Sequence, residues 1–195
     1  GYKVIFNGQS MLETILDLHI HSKYSRACSK NLELPQIAAA CRVRGIDIVA
    51  TGDFTHPKWF EHLQEHLTEV NSGIYELKLQ EPRTKNQGNN KSQITTRFIV
   101  GTELASIKKH AGEVRRVHLL LFAPSLEVAV KFNRALRARD INIDADGRPI
   151  IGMTSHDILE LALETDERMV VIPAHAWTPW FGVFGSKGGY DSLEE

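Results

Sequence analysis

Two cysteines in 195 residues are too few for a disulfide framework, and neither sits in the paired Cys motif of a structural zinc site. Cys28 falls in a polar loop and Cys41 on a predicted helix, so both read as free thiols. Long apolar runs are missing too: none approaches the roughly 20 residues that span a bilayer. Gly1 to Ser10 lacks the basic start, apolar middle and small-residue cleavage site of a signal peptide, which gives a cytoplasmic reading. A net charge of −1 supplies no general pull toward nucleic acid, so any polyanion must be held locally. What the chain has in excess is histidine. There are nine, and several end apolar runs instead of scattering over polar faces. The remaining composition, 42% hydrophobic and 24% charged, is that of one globular domain.

Ile15 to His21 alternates like a strand, with Asp17, His19 and His21 on one face and Leu16, Leu18 and Ile20 on the other. Leu34-Pro35 opens a predicted helix that Gly45 stops. A strand over Ile46 to Thr51 follows. Trp59, Leu63, Leu67 and Val70 then recur at helical spacing, with Phe60 widening the stripe. Further strands are predicted over Arg97 to Thr102, leading into Glu103, and over Val117 to Phe122, containing His118. A helix from about Ser125 to Arg139 comes next. Thr154 to Asp157 has capping-box spacing before another helix, and a strand from Met169 to Ala174 delivers His175.

Strands alternating with helices predict an α/β fold with mainly parallel strands. His19, His21, Asp53, Glu103 and His175 each fall at the C-terminal end of a predicted strand, where a β/α barrel builds its active site. Only about five strands can be counted, fewer than such a barrel needs, and Asp191 to Glu195 reads as the first turn of a helix. The chain therefore reads as truncated at its C-terminus. Residues 1–10 read as vector-derived or a disordered lead-in, because Met11 stands where a start codon would fit. Residues 80–96, polar and Gly- and Pro-bearing, read as a mobile loop.

Imidazole and carboxylate together suit zinc, manganese or iron, and several converging at one rim can hold two ions about 3.5–4 Å apart. Such a pair suits phosphate: one ion generates hydroxide near neutral pH while both neutralise phosphate oxygens. A lone His-x-His is weak evidence, since strand histidines are often satisfied polar groups. A buried carboxylate at Glu103 is costlier to explain without a cation.

Taken in order, these residues resemble the polymerase and histidinol phosphatase (PHP) superfamily. Asp17-Leu-His-Ile-His-Ser22 is similar to its first motif. Thr51-Gly-Asp53 stands where Thr-Asp-His is usual, which implies Asp53 in the ligand place of the histidine. Gly101-Thr-Glu103 matches the bridging glutamate, with His118 and Pro173-Ala-His175 as later ligands. Within the superfamily the chain resembles the endonuclease Q family, on His19 to Ser25, Thr51 to Pro57, Pro173 to Phe181 and Phe184 to Asp191. The resemblance implies a distorted (β/α)7 barrel, of which residues 11–195 are the N-terminal part, lacking the family's final Asp-x-His motif. It implies two or three divalent ions held by His19, His21, Asp53, Glu103, His118 and His175. Zinc is the first choice, with manganese, magnesium or iron as alternatives. Glu103 and His175 are the catalytic candidates. The implied activity is metal-dependent cleavage of DNA 5′ to deaminated bases such as hypoxanthine, uracil and xanthine. The alternative is a PHP phosphomonoesterase acting on a small metabolite.

Trp177, Trp180 and Phe181 follow His175 directly and read either as a platform for a flipped-out base or as a buried aromatic lid. Ser186 and Lys187, in a glycine-rich run, suit a DNA phosphate. Lys108-Lys-His110 with Arg115 and Arg116, around a turn at Ala111-Gly112, read as a DNA-backbone contact or as a solvated turn. His56 reads as an outer partner of the metal site or a direct ligand, or else as a helix cap or a solvent-facing residue. A rival site, His62-Leu-Gln-Glu65-His66, fits the H-x-x-E-H pattern of a metalloprotease class, but no acidic partner follows it. A third reading, a noncatalytic PHP module, would normally have eroded ligands.

Overall fold

In the computed structural model, the described residues are 5–6, 9–10, 14–26, 28–78 and 95–192. The expectations for residues 1–10 as a leader, for most of 80–96 as a loop and for a helix start at the C-terminus fall wholly or largely outside them. The elements in chain order are β1 (Ile5–Phe6), β2 (Gln9–Ser10), β3 (Leu16–Asp17), α1 (Leu34–Arg44), β4 (Ile48–Ala50), α2 (Pro57–His66) and β5 (Leu67–Asn71). After these come β6 (Ile74–Leu77), β7 (Arg97–His110), β8 (Glu113–Ala123), α3 (Leu126–Arg137), β9 (Ile150–Ile151), α4 (Ser155–Thr165) and β10 (Val170–Pro173).

The main sheet is open and mixed, with strand order β10-β8-β7-β4-β3 and with β6 and β9 also joined to β7. Parallel pairing holds for β3 with β4, β4 with β7, and β7 with β9. The expectation of mainly parallel strands is corrected by the long β7–β8 hairpin, which pairs from Val100↔Ala123 to His110↔Glu113, and by antiparallel β10. The turn at Ala111-Gly112 causes this: both residues have positive φ, the twist that two-residue hairpins prefer, so β8 folds straight back along β7 without a crossover helix.

Helix boundaries follow local chemistry. α1 has Pro in its first turn and ends at Gly45, whose φ of 70° provides the left-handed stop. Thr154 and Asp157 form the full capping box of α4, and the Ser125 side chain accepts from Val128 N–H to start α3. The helical stripe read through Val70 is corrected. α2 stops at His66, Leu67 is already extended, and Val70 lies exposed on the β5–β6 hairpin. Leu67 still reaches the core from its new position.

The core is continuous. Trp59, Phe54, Phe98, Phe132, Leu104 and Leu121 are essentially inaccessible within it. Trp59 also serves a polar purpose, since its indole N–H donates to Gly52 O at 2.8 Å and lies 3.2 Å from Thr51 O. α2 is thereby tied to the loop leaving β4. Among the described residues no helix is long and apolar enough to cross a membrane.

Candidate metal centre

Register brings the first ligands together. In the β7–β8 ladder Glu103 pairs with Leu120 and Ala105 with His118, so Glu103 and His118 project from one face as diagonal neighbours. His118 lies inside a strand as expected, whereas Glu103 lies within the long β7 and not at its end. His118 Nδ1 stands 3.0 Å from Glu103 Oε1. From the other edge, β3 ends at Asp17, earlier than predicted, and the chain beyond it carries His19 and His21 over the end of β4. Their Nε2 atoms reach Glu103 Oε1 at 3.2 Å and Oε2 at 3.1 Å.

His175 arrives differently. β10 pairs with β8 up to Pro173↔Leu119, and Ala174 N–H donates to His118 O, so a continued ladder would set Ala174 beside His118. At His175 the backbone turns left-handed, with φ of 33°, and leaves the ladder. Its Nε2 then lies 3.2 Å from His118 Nδ1 and 3.4 Å from Glu103 Oε1. Asp53 is left-handed as well, at φ of 50°. Strain of this kind, costing about 1–3 kcal/mol per residue, persists only where surrounding contacts enforce it.

Two groups of ligand atoms converge within 4.8 Å of one another: His19, His21 and Glu103, and Glu103, His118 and His175. Glu103 belongs to both. Its side chain is 1% exposed, and its Oε1, surrounded by three imidazole nitrogens, accepts a hydrogen bond in good geometry from none of them. A buried carboxylate oxygen left this way is expensive, and a cation between it and the imidazoles would resolve the deficit. The donor set, imidazole with a bridging carboxylate, fits a dinuclear site for a borderline transition-metal ion.

The electrostatics agree. Burial works against charge on Glu103, but the imidazoles of His118, His19 and His21 outweigh it and hold its carboxyl well below the usual range. Burial lowers His118, against the pull of Glu103, which favours the neutral ligating imidazole. His21 is the exception. Burial lowers it, yet Asp53 and Glu103 together push it up to about 9, so a proton and a cation would compete for its Nε2.

Asp53 does not join either ligand group. Its Oδ1 accepts from His21 Nδ1 at 2.8 Å, while Oδ2 accepts from Ser22 N–H, Ser22 Oγ and Ser25 Oγ at 2.6, 2.7 and 3.0 Å. This places it behind His21, fixing the tautomer that leaves the Nε2 lone pair facing the site. Thr178 does the same for His175: its hydroxyl lies near the carbonyls of His175 and Trp180 and accepts from His175 Nδ1 at 2.9 Å. His56 is buried and stacked on Tyr24 at the start of α2, without a side-chain capping bond. The rival rings of His62 and His66 lie 4.1 Å apart and tilted, with His62 stacked on Trp59, and neither belongs to a convergent ligand group among the described residues.

The segment after His175 is built from turns. Trp177 and Trp180 are 79% and 59% exposed, so they are not a buried lid, and Trp177 stacks on Phe184. Phe181 instead stacks on His118 at 4.2 Å and its carbonyl accepts from His118 N–H. Ser186 and Lys187 are exposed. Arg115 is engaged within the fold: it donates to Gly189 O at 2.5 Å and lies over the Tyr190 ring. Arg116 uses its backbone N–H on Gly188 O. Together these contacts clasp the glycine-rich segment against β8.

One participant escaped sequence reading. Arg148, in the turn before β9, sets Nη1 3.1 Å from Glu103 Oε2. Nothing in its local sequence marks it. Neighbouring Gly147 is constrained as tightly: any Cβ there would collide with the Asp53 carboxylate and Ser25 Oγ.

No family model matches the chain. It is 25% identical over 164 residues to an uncharacterized protein of Methanocaldococcus jannaschii, covering 84% of this chain and 16% of that protein. Among solved structures it is similar to a lesion-specific endonuclease, PfuEndoQ from Pyrococcus furiosus, with a TM-score of 0.72, 31% identity and 93% of this chain covered. A second is endonuclease Q in complex with a 27-mer duplex bearing an abasic lesion at the active site, with a TM-score of 0.71, 34% identity and 92% coverage. The chain spans 38% of the length of each of these structures. In sequence and in fold, this chain is close to the endonuclease Q family.

Proposed function

We propose that this chain carries the metal centre of an endonuclease Q-like DNA repair nuclease, a metal-dependent phosphodiesterase that cuts DNA on the 5′ side of deaminated bases. The observation that carries the proposal is Glu103, shared by two imidazole groups in a fold similar to a nuclease seen with a lesion-bearing duplex at its active site. His19, His21 and Glu103 would hold one ion and Glu103, His118 and His175 another. When bound, the ions would supply an activated water and neutralise the phosphate oxygens. Asp53 and Thr178 orient His21 and His175. Trp177 and Trp180 supply exposed stacking faces for a displaced base, and Lys187 a cation for the backbone. The sheet edges at β3 and β10 carry exposed Leu16, Val170 and Ile172, which suits closure into a (β/α)7 barrel by strands of a longer protein.

The test uses the full-length protein that contains this segment, with Mg²⁺, Mn²⁺ or Zn²⁺, on duplexes containing one hypoxanthine or a matched adenine. Lesion-dependent cleavage on the 5′ side, lost in His19→Ala and Glu103→Ala, is the expected result. Hydrolysis of a small phosphomonoester with both duplexes left intact would retain the metal centre and overturn the DNA reading.

A further inference from the structure

Beside the metal centre lies a cavity of about 380 Å³, lined by Arg26, His118, Asn142, Asp146, Arg148 and Phe181 among others. It opens where the loop after His21 meets the turn before β9. Its two arginines outnumber its one acid, Asp146, whose Oδ1 accepts from Arg148 N–H at 2.9 Å. Arg26 is exposed at the mouth. Arg148 has a 38% exposed side chain with one nitrogen on Glu103, and a guanidinium is a planar fork whose other edge remains available for a second oxyanion.

The backbone around Arg148 is held on both sides. Gly147 N–H donates to Tyr24 O, and Ala105 N–H donates to Pro149 O. The first bond ties the turn to the segment that carries His21, and the second ties it to β7, two residues past Glu103. The guanidinium is thus positioned relative to the same elements that position the ligands. Donors fixed this way, aimed at oxygens that gain charge during phosphoryl transfer, stabilise the transition state without reorganising.

We propose that this cavity is a phosphate seat, in which Arg148 grips the non-bridging oxygens of the phosphodiester to be cut and Arg26 steadies the strand at the mouth. The proposal rests on the phosphodiesterase reading above. It makes Arg148 a group that touches substrate, where a purely structural role would only hold Glu103 in place for the ions.

The experiment compares wild type, Arg148→Ala, Arg148→Lys and Arg26→Ala in the full-length protein. Three quantities are measured: bound metal, cleavage kinetics on the hypoxanthine duplex, and equilibrium binding of that duplex in EDTA across a salt series. Arg148→Ala is expected to keep its metal while kcat falls about 10²- to 10³-fold, as for loss of one oriented donor. Arg148→Lys, which preserves charge without the fork, should bind DNA like wild type and cut it at least about tenfold more slowly. Arg26→Ala should weaken binding and make the salt slope shallower by about one phosphate contact. A kcat for Arg148→Ala within about threefold of wild type, or a loss fully explained by lost metal, would overturn the seat. The two readings fail separately. If wild type cuts no lesion duplex yet hydrolyses bis(p-nitrophenyl) phosphate in an Arg148-dependent way, the seat stands and the DNA assignment falls.

Discussion

Asp53 Oδ1 accepts a 2.8 Å hydrogen bond from His21 Nδ1, and its other oxygen is shared by Ser22 and Ser25. The aspartate therefore touches the candidate metal centre through His21. Asp53→Asn removes the charge and presents either a donor or a weaker acceptor to Nδ1. We expect metal affinity to fall about 10- to 100-fold, the usual effect of losing such an outer partner. Competitive chelator titration measures it, and affinity equal to wild type would place Asp53 outside the site's machinery.

Glu103 links both imidazole groups, so its loss should uncouple stability from metal. In wild type, chelation should lower Tm, because ions that bind only the folded chain stabilise it by mass action. Glu103→Gln should show a much smaller chelator effect. Thermal scans with and without EDTA decide this, and an unchanged shift in the variant would remove Glu103 from the centre.

Gly147 has no room for a side chain beside Asp53 and Ser25. Gly147→Ala should destabilise the fold by about 1–3 kcal/mol, the range for overpacking, and should weaken metal binding through the displaced Asp53. Denaturant melts read the first effect. Gly112→Ala, where the added Cβ would meet open space and only the left-handed backbone is strained, should leave metal affinity intact.

Arg115 holds the segment bearing Trp177 and Trp180 against β8 through Gly189 O and the Tyr190 ring. Arg115→Ala should cost about 1–3 kcal/mol in lost hydrogen bonding and cation–π contact. Proteolytic nicking within residues 176–190 should rise while cleavage elsewhere stays constant. Equal nicking in both proteins would show that the clasp is dispensable.

His62 reports on pH. Burial lowers its pKa below 6.5, and its Nε2 has no hydrogen-bond partner. The unfolded chain thus binds the proton more readily than the folded one. Stability is fully present above the unfolded value of about 6.5 and is lost as pH falls from there through the folded pKa. Unfolding free energies between pH 7.5 and 5 should decline less steeply in His62→Phe. A steeper decline in the variant would reverse the sign.

Much of this was legible in the residues themselves. His19, His21, Glu103, His118 and His175 stood out because imidazole and carboxylate in a recurring order at the ends of apolar runs have few structural uses. Gly45 and the Thr154–Asp157 box announced their helix ends because capping is local chemistry. Leu67 and Val70 misled because a three-residue spacing fits a helix stripe, and only the hairpin with β6, whose register shifts between Glu69 and Asn71, buried the one and exposed the other.

By itself the sequence determined which groups are available for metal chemistry and in what order they arrive along the chain. Tertiary structure alone decided their division of labour. Register set His118 diagonal to Glu103, a left-handed residue returned His175 to the same face, and the turn before β9 placed Arg148 against a carboxylate 45 residues away. Asp53 became a partner of His21 because folding put two serines on its other oxygen. The physical reason is that type and order are covalent properties, whereas a ligand, an orienter and a phosphate grip differ only in angstroms and angles that packing imposes.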